Sequence, residues 1–152
     1  MNRVPAFGYV IREKSVYRLE KRIPSFTDLR KGSEHFYIVT MECDGSIIDF
    51  CKAAKEKSKA QKYFIDPSEE QDHLIYFSCL PWMDVTSVTH DRDLLAKNAT
   101  DDSVPRITWG KYITKENGMM ELGMSIEVNH RLIDGVYIGR FVQELTKLIE
   151  EL

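Results

Sequence analysis

The chain is poor in cysteine and has no long apolar run, and each of these scarcities excludes a class of protein. Its 152 residues include three cysteines, an odd number without metal-ligand spacing, which argues against a disulfide framework and a zinc site. No apolar stretch reaches the roughly 20 residues that span a bilayer, and the first residues lack a signal-peptide core. We therefore expect a cytoplasmic protein with reduced thiols and no membrane partner.

The chain also has little net charge, because acidic and basic residues nearly balance. The formal net charge is -3, and no basic stripe interleaved with aromatic side chains is visible, so nucleic acid is not an expected partner. The length is that of one domain with one hydrophobic core, and the sequence has no repeat, low-complexity tract or linker. We expect a single domain over residues 1–152.

Short β-prone runs and two helical patterns alternate along the chain. The runs predicted to be strands are 9–11, 16–19, 35–40, 73–78, 85–89, 107–113 and 120–128. A helix is predicted over about 47–61, where Ile47, Ile48, Cys51 and Ala54 have the spacing of one apolar face. The polar residues 91–103 are predicted to form an exposed connection.

The last third of the chain has the most regular pattern. Apolar residues alternate from Met120 to Val128, and the turn 116–118 before them predicts a β-hairpin. An amphipathic helix follows, with Asp134 as its N-cap. Its apolar stripe consists of Val136, Ile138, Phe141, Val142, Leu145, Leu148, Ile149 and Leu152. Runs of strands broken by isolated helices predict an α+β fold, with a mixed or antiparallel sheet and helices on one face.

The junction 129–135, between the last strand and the last helix, contains the side chain with the most chemistry. A histidine titrates near neutrality and can take a proton from a hydroxyl group, and His130 lies at this junction. Asp134 can cap the helix or neutralise a cation, and Gly135 allows a tight turn. On spacing alone, a structural or surface histidine is the favoured interpretation of His130.

A resemblance changes that interpretation. Residues 130–135 resemble the H-x-x-x-D-G signature of the chloramphenicol acetyltransferase family, which the dihydrolipoamide acyltransferase cores share. Residues 77–82 (FSCLPW) and 108–112 (TWGKY) resemble two further blocks of that family in the right order, and residues 23–26 align loosely. The lipoyl-linked enzymes do not share the two further blocks. The resemblance therefore implies a chloramphenicol acetyltransferase-like two-layer sandwich and a coenzyme A-dependent acyltransferase.

The resemblance also implies catalytic roles. His130 would be the general base that deprotonates the acceptor hydroxyl through Nε2, with its other ring nitrogen held by a backbone carbonyl. Ser78 would donate a hydrogen bond to the oxyanion of the tetrahedral intermediate. Thr108 would support that site through a bound water. Neither a metal nor a covalent acyl-enzyme is implied.

The same resemblance implies acetyl-CoA as a co-substrate, with no permanently bound cofactor. Trp82 and Tyr112 would line the coenzyme A channel, with Lys111 nearby. Asp134 and Gly135 would shape the histidine loop. Family members form homotrimers whose active site lies at the subunit boundary, so a homotrimer is expected here.

Three departures from the family pattern bear on function. The chain begins well inside the family's usual length, so we expect a domain that lacks the N-terminal segment, including the arginine that pairs with Asp134. Asn129 replaces one histidine of a doublet, and residues 83–88 lack the phenylalanines that grip chloramphenicol.

The expected activity is O-acetylation of chloramphenicol or a related small molecule, in the context of antibiotic resistance. The alternatives are an inactive truncated oligomerising domain and a core related to dihydrolipoamide acyltransferases.

Overall fold

The computed structural model describes residues 1–66, 68, 71–90 and 102–152. A short 3-10 turn, Pro5–Gly8, precedes the first strand. The strands are β1 (Tyr9–Arg12), β2 (Ser15–Arg18), β3 (Ile23–Leu29), β4 (Phe36–Thr40), β5 (Leu74–Leu80), β6 (Arg106–Thr114) and β7 (Met120–Glu127). The helices are α1 (Ile47–Ala60), between β4 and β5, and α2 (Gly135–Glu150), after β7. None of the described helices is long and apolar enough to cross a bilayer.

One five-stranded mixed sheet organises the domain. Its order is β4-β3-β5-β6-β7. The β3–β5 and β5–β6 pairs are parallel, whereas the outer β3–β4 and β6–β7 pairs are antiparallel. β1 and β2 form a separate antiparallel hairpin. The predicted α+β class with a mixed sheet is confirmed, because parallel neighbours joined by long crossovers lie beside strands joined by short turns.

Both helices pack on the same face of the sheet, as predicted. Phe26 of β3 contacts Phe50 of α1, with ring centroids 6.0 Å apart. Phe26 is also the register partner of Phe77 on β5, and Phe77 packs against the buried cluster that includes Phe141 of α2. Register partners point to the same side of a sheet, so α1 and α2 share one side. Burial of this aromatic surface stabilises the layer by about 25 cal/mol for each Å² removed from water.

On the opposite face of the sheet, β6 and β7 are covered by residues 82–90, which we call the strap. Val85, at 5% exposure, is its buried anchor and lies over Gly110 of β6 and Gly123 of β7. A Cβ atom at Gly123 would lie 1.6 Å from the Val85 carbonyl oxygen, so only glycine permits this close approach. The prediction of a strand at 85–89 is wrong, because these β-branched residues cross the sheet face instead of pairing at its edge.

The helices bury different side chains from those that the sequence pattern indicates. In α1, Phe50 and Ser58 face the sheet, whereas Ile47 and Ile48 are 59% and 63% exposed. In α2, Phe141 is buried as expected. The members of the predicted stripe that are exposed are Val136, Val142, Leu148, Ile149 and Leu152. Helical spacing identified both helices. In α2 it overestimated the width of the buried face, and in α1 it missed Phe50 and Ser58, which face the sheet.

Two other segments also differ from the predictions. β3 is missing from the predicted strands, since Pro24 is atypical of a strand interior. Ser103, expected in an exposed connection, is 5% exposed, and its Oγ accepts a hydrogen bond from the Ile11 nitrogen at 2.9 Å. Residues 91–101 of that predicted connection lie outside the described residues.

A buried arginine ties the β1–β2 hairpin to the sheet. Arg22 is 2% exposed. Its five N–H donors all reach backbone carbonyl oxygens, those of Phe7, Tyr9, Asp72, Leu74 and Ser103. Burial lowers the pKa of Arg22 to about 10, so the guanidinium stays cationic at neutral pH. This arrangement satisfies every donor of the side chain.

Candidate active site

The turn that presents His130 is anchored on both sides. Before it, the Asn129 amide donates to the Asp102 carbonyl oxygen at 2.9 Å. After it, Ile133 is 2% exposed, and its nitrogen donates to the Asn129 carbonyl oxygen at 3.0 Å. His130 itself is exposed. The chain therefore holds an accessible imidazole on a fixed turn between β7 and α2.

Asp134 has the predicted capping role. Its carboxylate accepts hydrogen bonds from the backbone nitrogens of Val136 at 2.9 Å and Tyr137 at 3.4 Å. These bonds satisfy two of the unpaired donors at the start of α2. Asp134 makes no ion pair within the described part of the chain. Gly135 follows as the first residue of α2, so the two residues define where the histidine turn ends.

The contact of the His130 ring favours one tautomer. Nδ1 lies 3.3 Å from the carbonyl oxygen of Ile133. A carbonyl oxygen can only accept, so Nδ1 is the protonated nitrogen in this contact. Nε2 then has the free lone pair and makes no hydrogen bond with any described residue. The exposed side of the imidazole can accept a proton from a bound molecule.

Ser78 and Thr108 are register partners on the parallel strands β5 and β6. Thr108 is 2% exposed, and its Oγ1 has no hydrogen-bond partner among the described residues. Ser78 is half-buried, and its hydroxyl has one partner, the Thr27 hydroxyl, at 3.4 Å. A buried hydroxyl without a partner costs about 1–3 kcal/mol. The two strands therefore place a buried hydroxyl without a partner among the described residues beside a half-buried hydroxyl that has one long contact.

A groove of about 540 Å³ opens beside Ser78. Its lining residues are Thr27, Leu29, Glu34, Phe36, Ser78, Cys79, Leu80, Pro81 and Trp82. Most of this lining is apolar or aromatic, and its side-chain hydroxyls are those of Thr27 and Ser78. Burial raises the pKa of the Cys79 thiol, so this cysteine is not an activated thiolate nucleophile at neutral pH.

Trp82 and Tyr112 are exposed aromatic side chains, at 63% and 62% exposure. They lie at the same end of the sheet, because the Lys111 nitrogen donates to the Met83 carbonyl oxygen at 2.6 Å. That bond fixes the start of the strap against β6. The exposure excludes a core role for Trp82 and leaves both rings free to stack on a ligand.

The candidate residues form two groups at different ends of β6. His130 follows the end of β7 where Glu127 pairs with Arg106. Trp82, Lys111 and Tyr112 belong to the other end, where Tyr112 pairs with Leu122. The six steps from Arg106 to Tyr112 span about 20 Å at about 3.3 Å per residue. Ser78 and Thr108 lie between these ends, and one chain does not bring His130 beside Trp82.

Comparisons with known proteins identify the family. The family model of chloramphenicol acetyltransferase matches residues 1–146. The chloramphenicol acetyltransferase of Clostridioides difficile is 30% identical over 135 residues, which cover 86% of this chain and 60% of that protein. This chain belongs to the chloramphenicol acetyltransferase family. It spans about 60% of the length of the curated relatives that it matches first.

Solved structures show the same fold. A chloramphenicol acetyltransferase structure matches with a TM-score of 0.76 at 20% identity and covers 93% of this chain and 68% of its own. The dihydrolipoamide acetyltransferase of Azotobacter vinelandii matches with a TM-score of 0.67 at 17% identity, covering 97% of this chain and 62% of its own. The predicted family and the chloramphenicol acetyltransferase-like fold are confirmed.

Sequence reasoning missed the side of the groove that β3 and β4 contribute. Thr27 and Leu29 of β3 and Phe36 of β4 line it opposite Trp82, although none of them lies in a quoted family block. The β-prone side chains of Ile23, Phe26 and Thr27, within and next to the loosely aligned 23–26, are the available signal. Pro24 obscures this signal, because proline is atypical of a strand interior.

Proposed function

We propose that this member of the chloramphenicol acetyltransferase family transfers an acetyl group from acetyl-CoA to a hydroxyl group of chloramphenicol or a related small molecule. His130 would be the general base. The observation that supports this best is the exposed imidazole, with Nδ1 against the Ile133 carbonyl oxygen and Nε2 open to a bound molecule. A positioned base of this kind contributes about 10²–10⁴-fold to a rate.

The proposed reaction is a direct transfer within one ternary complex. Nε2 of His130 takes the proton of the acceptor hydroxyl while the acceptor oxygen attacks the thioester carbon of acetyl-CoA. The carbonyl oxygen becomes an oxyanion, which accepts a hydrogen bond from Ser78; losing one such donor typically costs about 2.7–4 kcal/mol. Collapse of the tetrahedral intermediate breaks the carbon–sulfur bond, and His130 returns the proton to the departing thiolate. Thr108 would support Ser78 through a bound water.

The proposed coenzyme A channel uses the other end of the sheet. Trp82 and Tyr112 present exposed rings there, and the Lys111 ammonium could neutralise part of the charge of coenzyme A. The relatives named chloramphenicol acetyltransferase support the substrate class. A serine and a histidine have roles in the catalytic mechanism of the dihydrolipoamide acetyltransferase of Azotobacter vinelandii, and Ser78 with His130 would form the same kind of pair.

We further propose that the site is shared between subunits of a homotrimer. His130 and Trp82 belong to opposite ends of β6 in one chain, so His130 would act beside Ser78 of the partner subunit. Light scattering tests this arrangement directly. A trimer supports the shared site, whereas a monomer that turns over acetyl-CoA would contradict it.

The activity test measures coenzyme A release from acetyl-CoA with chloramphenicol and a panel of other alcohols. We expect His130→Ala to lose at least about 100-fold in kcat on the preferred acceptor. The matched control is His73→Ala, which removes a histidine outside the candidate site. Equal background rates for wild type and His130→Ala on every acceptor would reject the enzyme and favour a non-catalytic oligomerising domain.

A further inference from the structure

Four hydroxyl side chains lie side by side across the sheet, and we call them the hydroxyl row: Thr27, Ser78, Thr108 and Ser125. Ser78 pairs with Thr108, and Thr108 pairs with Ser125. Thr27 and Ser78 each follow the last pair of the β3–β5 ladder, Phe26 and Phe77, by one residue, and their hydroxyl oxygens are 3.4 Å apart. Register partners share a face, so the row crosses β3, β5, β6 and β7 on the strap side.

The hydrogen bonds of the row are unequal. Ser125 donates to the Val88 carbonyl oxygen of the strap at 2.9 Å. Thr108 Oγ1 has no partner among the described residues, although it is directly beside Ser78. Thr27 is therefore the one neighbour in the described row whose hydroxyl contacts that of Ser78. It also lines the same groove.

We propose that Thr27 is a positioning residue for Ser78, an inference that rests on the proposed role of Ser78 as the oxyanion donor. A hydroxyl group has one proton to donate and two lone pairs that accept. When Thr27 Oγ1 donates to Ser78 Oγ, the Ser78 proton remains free for an acceptor in the groove. The reverse direction would use that proton on Thr27 and leave the oxyanion without it.

Threonine is well suited to this role on a strand. Its branched Cβ restricts χ1, so the Thr27 hydroxyl is held in place before a substrate binds. A hydroxyl that accepts a hydrogen bond is also a stronger donor, because hydrogen bonds in a chain polarise one another. The 3.4 Å contact is longer than the usual 2.7–2.8 Å. We expect it to shorten when Ser78 donates to a developing charge, as catalytic hydrogen bonds often do.

The decisive experiment is a double-mutant cycle on coenzyme A release. Thr27→Val keeps the shape of the side chain and removes the donor; we expect kcat to fall about three- to tenfold, with KM for acetyl-CoA within about twofold. Thr27→Ser should restore most of the rate. In a Ser78→Ala background, Thr27→Val should have no further effect, since its action passes through Ser78. An equal loss in both backgrounds would overturn the proposal.

The matched control is Thr40→Val. Thr40 donates to Ser25 at 2.9 Å, a second threonine–serine pair that involves β3 but lies outside the groove. We expect Thr40→Val to change stability. It should leave unchanged the ratio of kcat in the wild-type background to kcat in the Ser78→Ala background. A change in that ratio equal to that of Thr27→Val would overturn the assignment to Thr27.

A second readout does not depend on turnover. Three-bond NMR couplings report the χ1 rotamer of Ser78, which should be single in wild type and Thr27→Ser but averaged in Thr27→Val. Unchanged couplings in Thr27→Val would overturn the positioning role. If wild type shows no His130-dependent coenzyme A release while the couplings change as expected, the acyl-transfer proposal fails and the positioning of Ser78 stands.

Discussion

Two polar regions of this domain differ in how completely their hydrogen-bonding groups have partners. At Arg22, all five N–H donors of a buried cation meet carbonyl oxygens. In the hydroxyl row, buried Thr108 has no partner among the described residues, and Ser78 has one long contact. Unsatisfied buried groups cost stability, and such local costs concentrate at functional sites. The comparison therefore separates a structural polar cluster from a candidate catalytic one.

The largest expected effect comes from removing the buried guanidinium of Arg22, all of whose donors have partners. Arg22→Met would remove all five donors and leave buried carbonyl oxygens without partners. We expect the free energy of unfolding to fall by about 3–5 kcal/mol, a large share of the roughly 5–15 kcal/mol of a typical domain. Urea unfolding followed by circular dichroism measures it. The control, Arg140→Met, removes an exposed arginine of α2 and should change little; similar losses for both would refute the structural role of Arg22.

Displacing the strap should have the next largest effect, because the strap covers β6 and β7 on the face that holds the hydroxyl row. Gly123→Ala would place a Cβ atom 1.6 Å from the Val85 carbonyl oxygen, and overpacking of this kind typically costs about 1–3 kcal/mol. Gly139→Ala is the matched control: it lies in α2, and outside the adjacent helix backbone no atom of the described residues is within 4 Å of the added Cβ. It should stabilise the helix by about 0.5–1 kcal/mol. Urea midpoints that move in the same direction would contradict this account.

The strap also shows where sequence patterns stop being informative about the fold. Alternation and helical spacing located β6, β7 and both helices, because each of these elements has a regular spacing of apolar residues. Residues 85–89 have the composition of a strand, yet Val85 packs across the sheet over Gly110 and Gly123. Composition reports that a segment is half-buried and extended, not whether it pairs at an edge or crosses a face. Only the long-range contact decides between them.

Removing the unsatisfied hydroxyl should separate stability from function. Thr108→Val keeps the side-chain shape and removes the buried Oγ1 that lacks a partner among the described residues. We expect the free energy of unfolding to rise by about 1 kcal/mol, while coenzyme A release falls. Parallel urea titrations and activity assays measure both. A loss of stability would mean that the hydroxyl is satisfied in solution, and the contrast with Arg22 would disappear.

The candidate site was only partly accessible to sequence reasoning. His130, Ser78 and Thr108 came from family blocks, since short motifs fix local chemistry. Thr27 is 51 residues from Ser78 in the chain, and no local sequence pattern predicts that the two hydroxyl groups are in contact. The same holds for Arg22, whose partners come from separate stretches of sequence. Residues that act through tertiary neighbours require the register of the sheet.

The smallest expected effect concerns the exposed ion pair between Arg12 and Asp72, next to the Arg22 cluster. The Asp72 carbonyl oxygen accepts from Arg22 inside, while its carboxylate pairs with Arg12 at 2.6 Å outside. The Arg12 hydrogen bond lowers the pKa of Asp72. This contribution to stability is thus fully present above the unfolded-state pKa, near pH 4, and is lost as pH falls through the lower folded-state pKa.

Arg12→Gln should make the urea midpoint fall less steeply below pH 4, whereas Arg18→Gln should leave that slope unchanged. An unchanged slope in Arg12→Gln would show that solvent screens the ion pair completely, so that only the carbonyl oxygen of Asp72, and not its carboxylate, would contribute to stability.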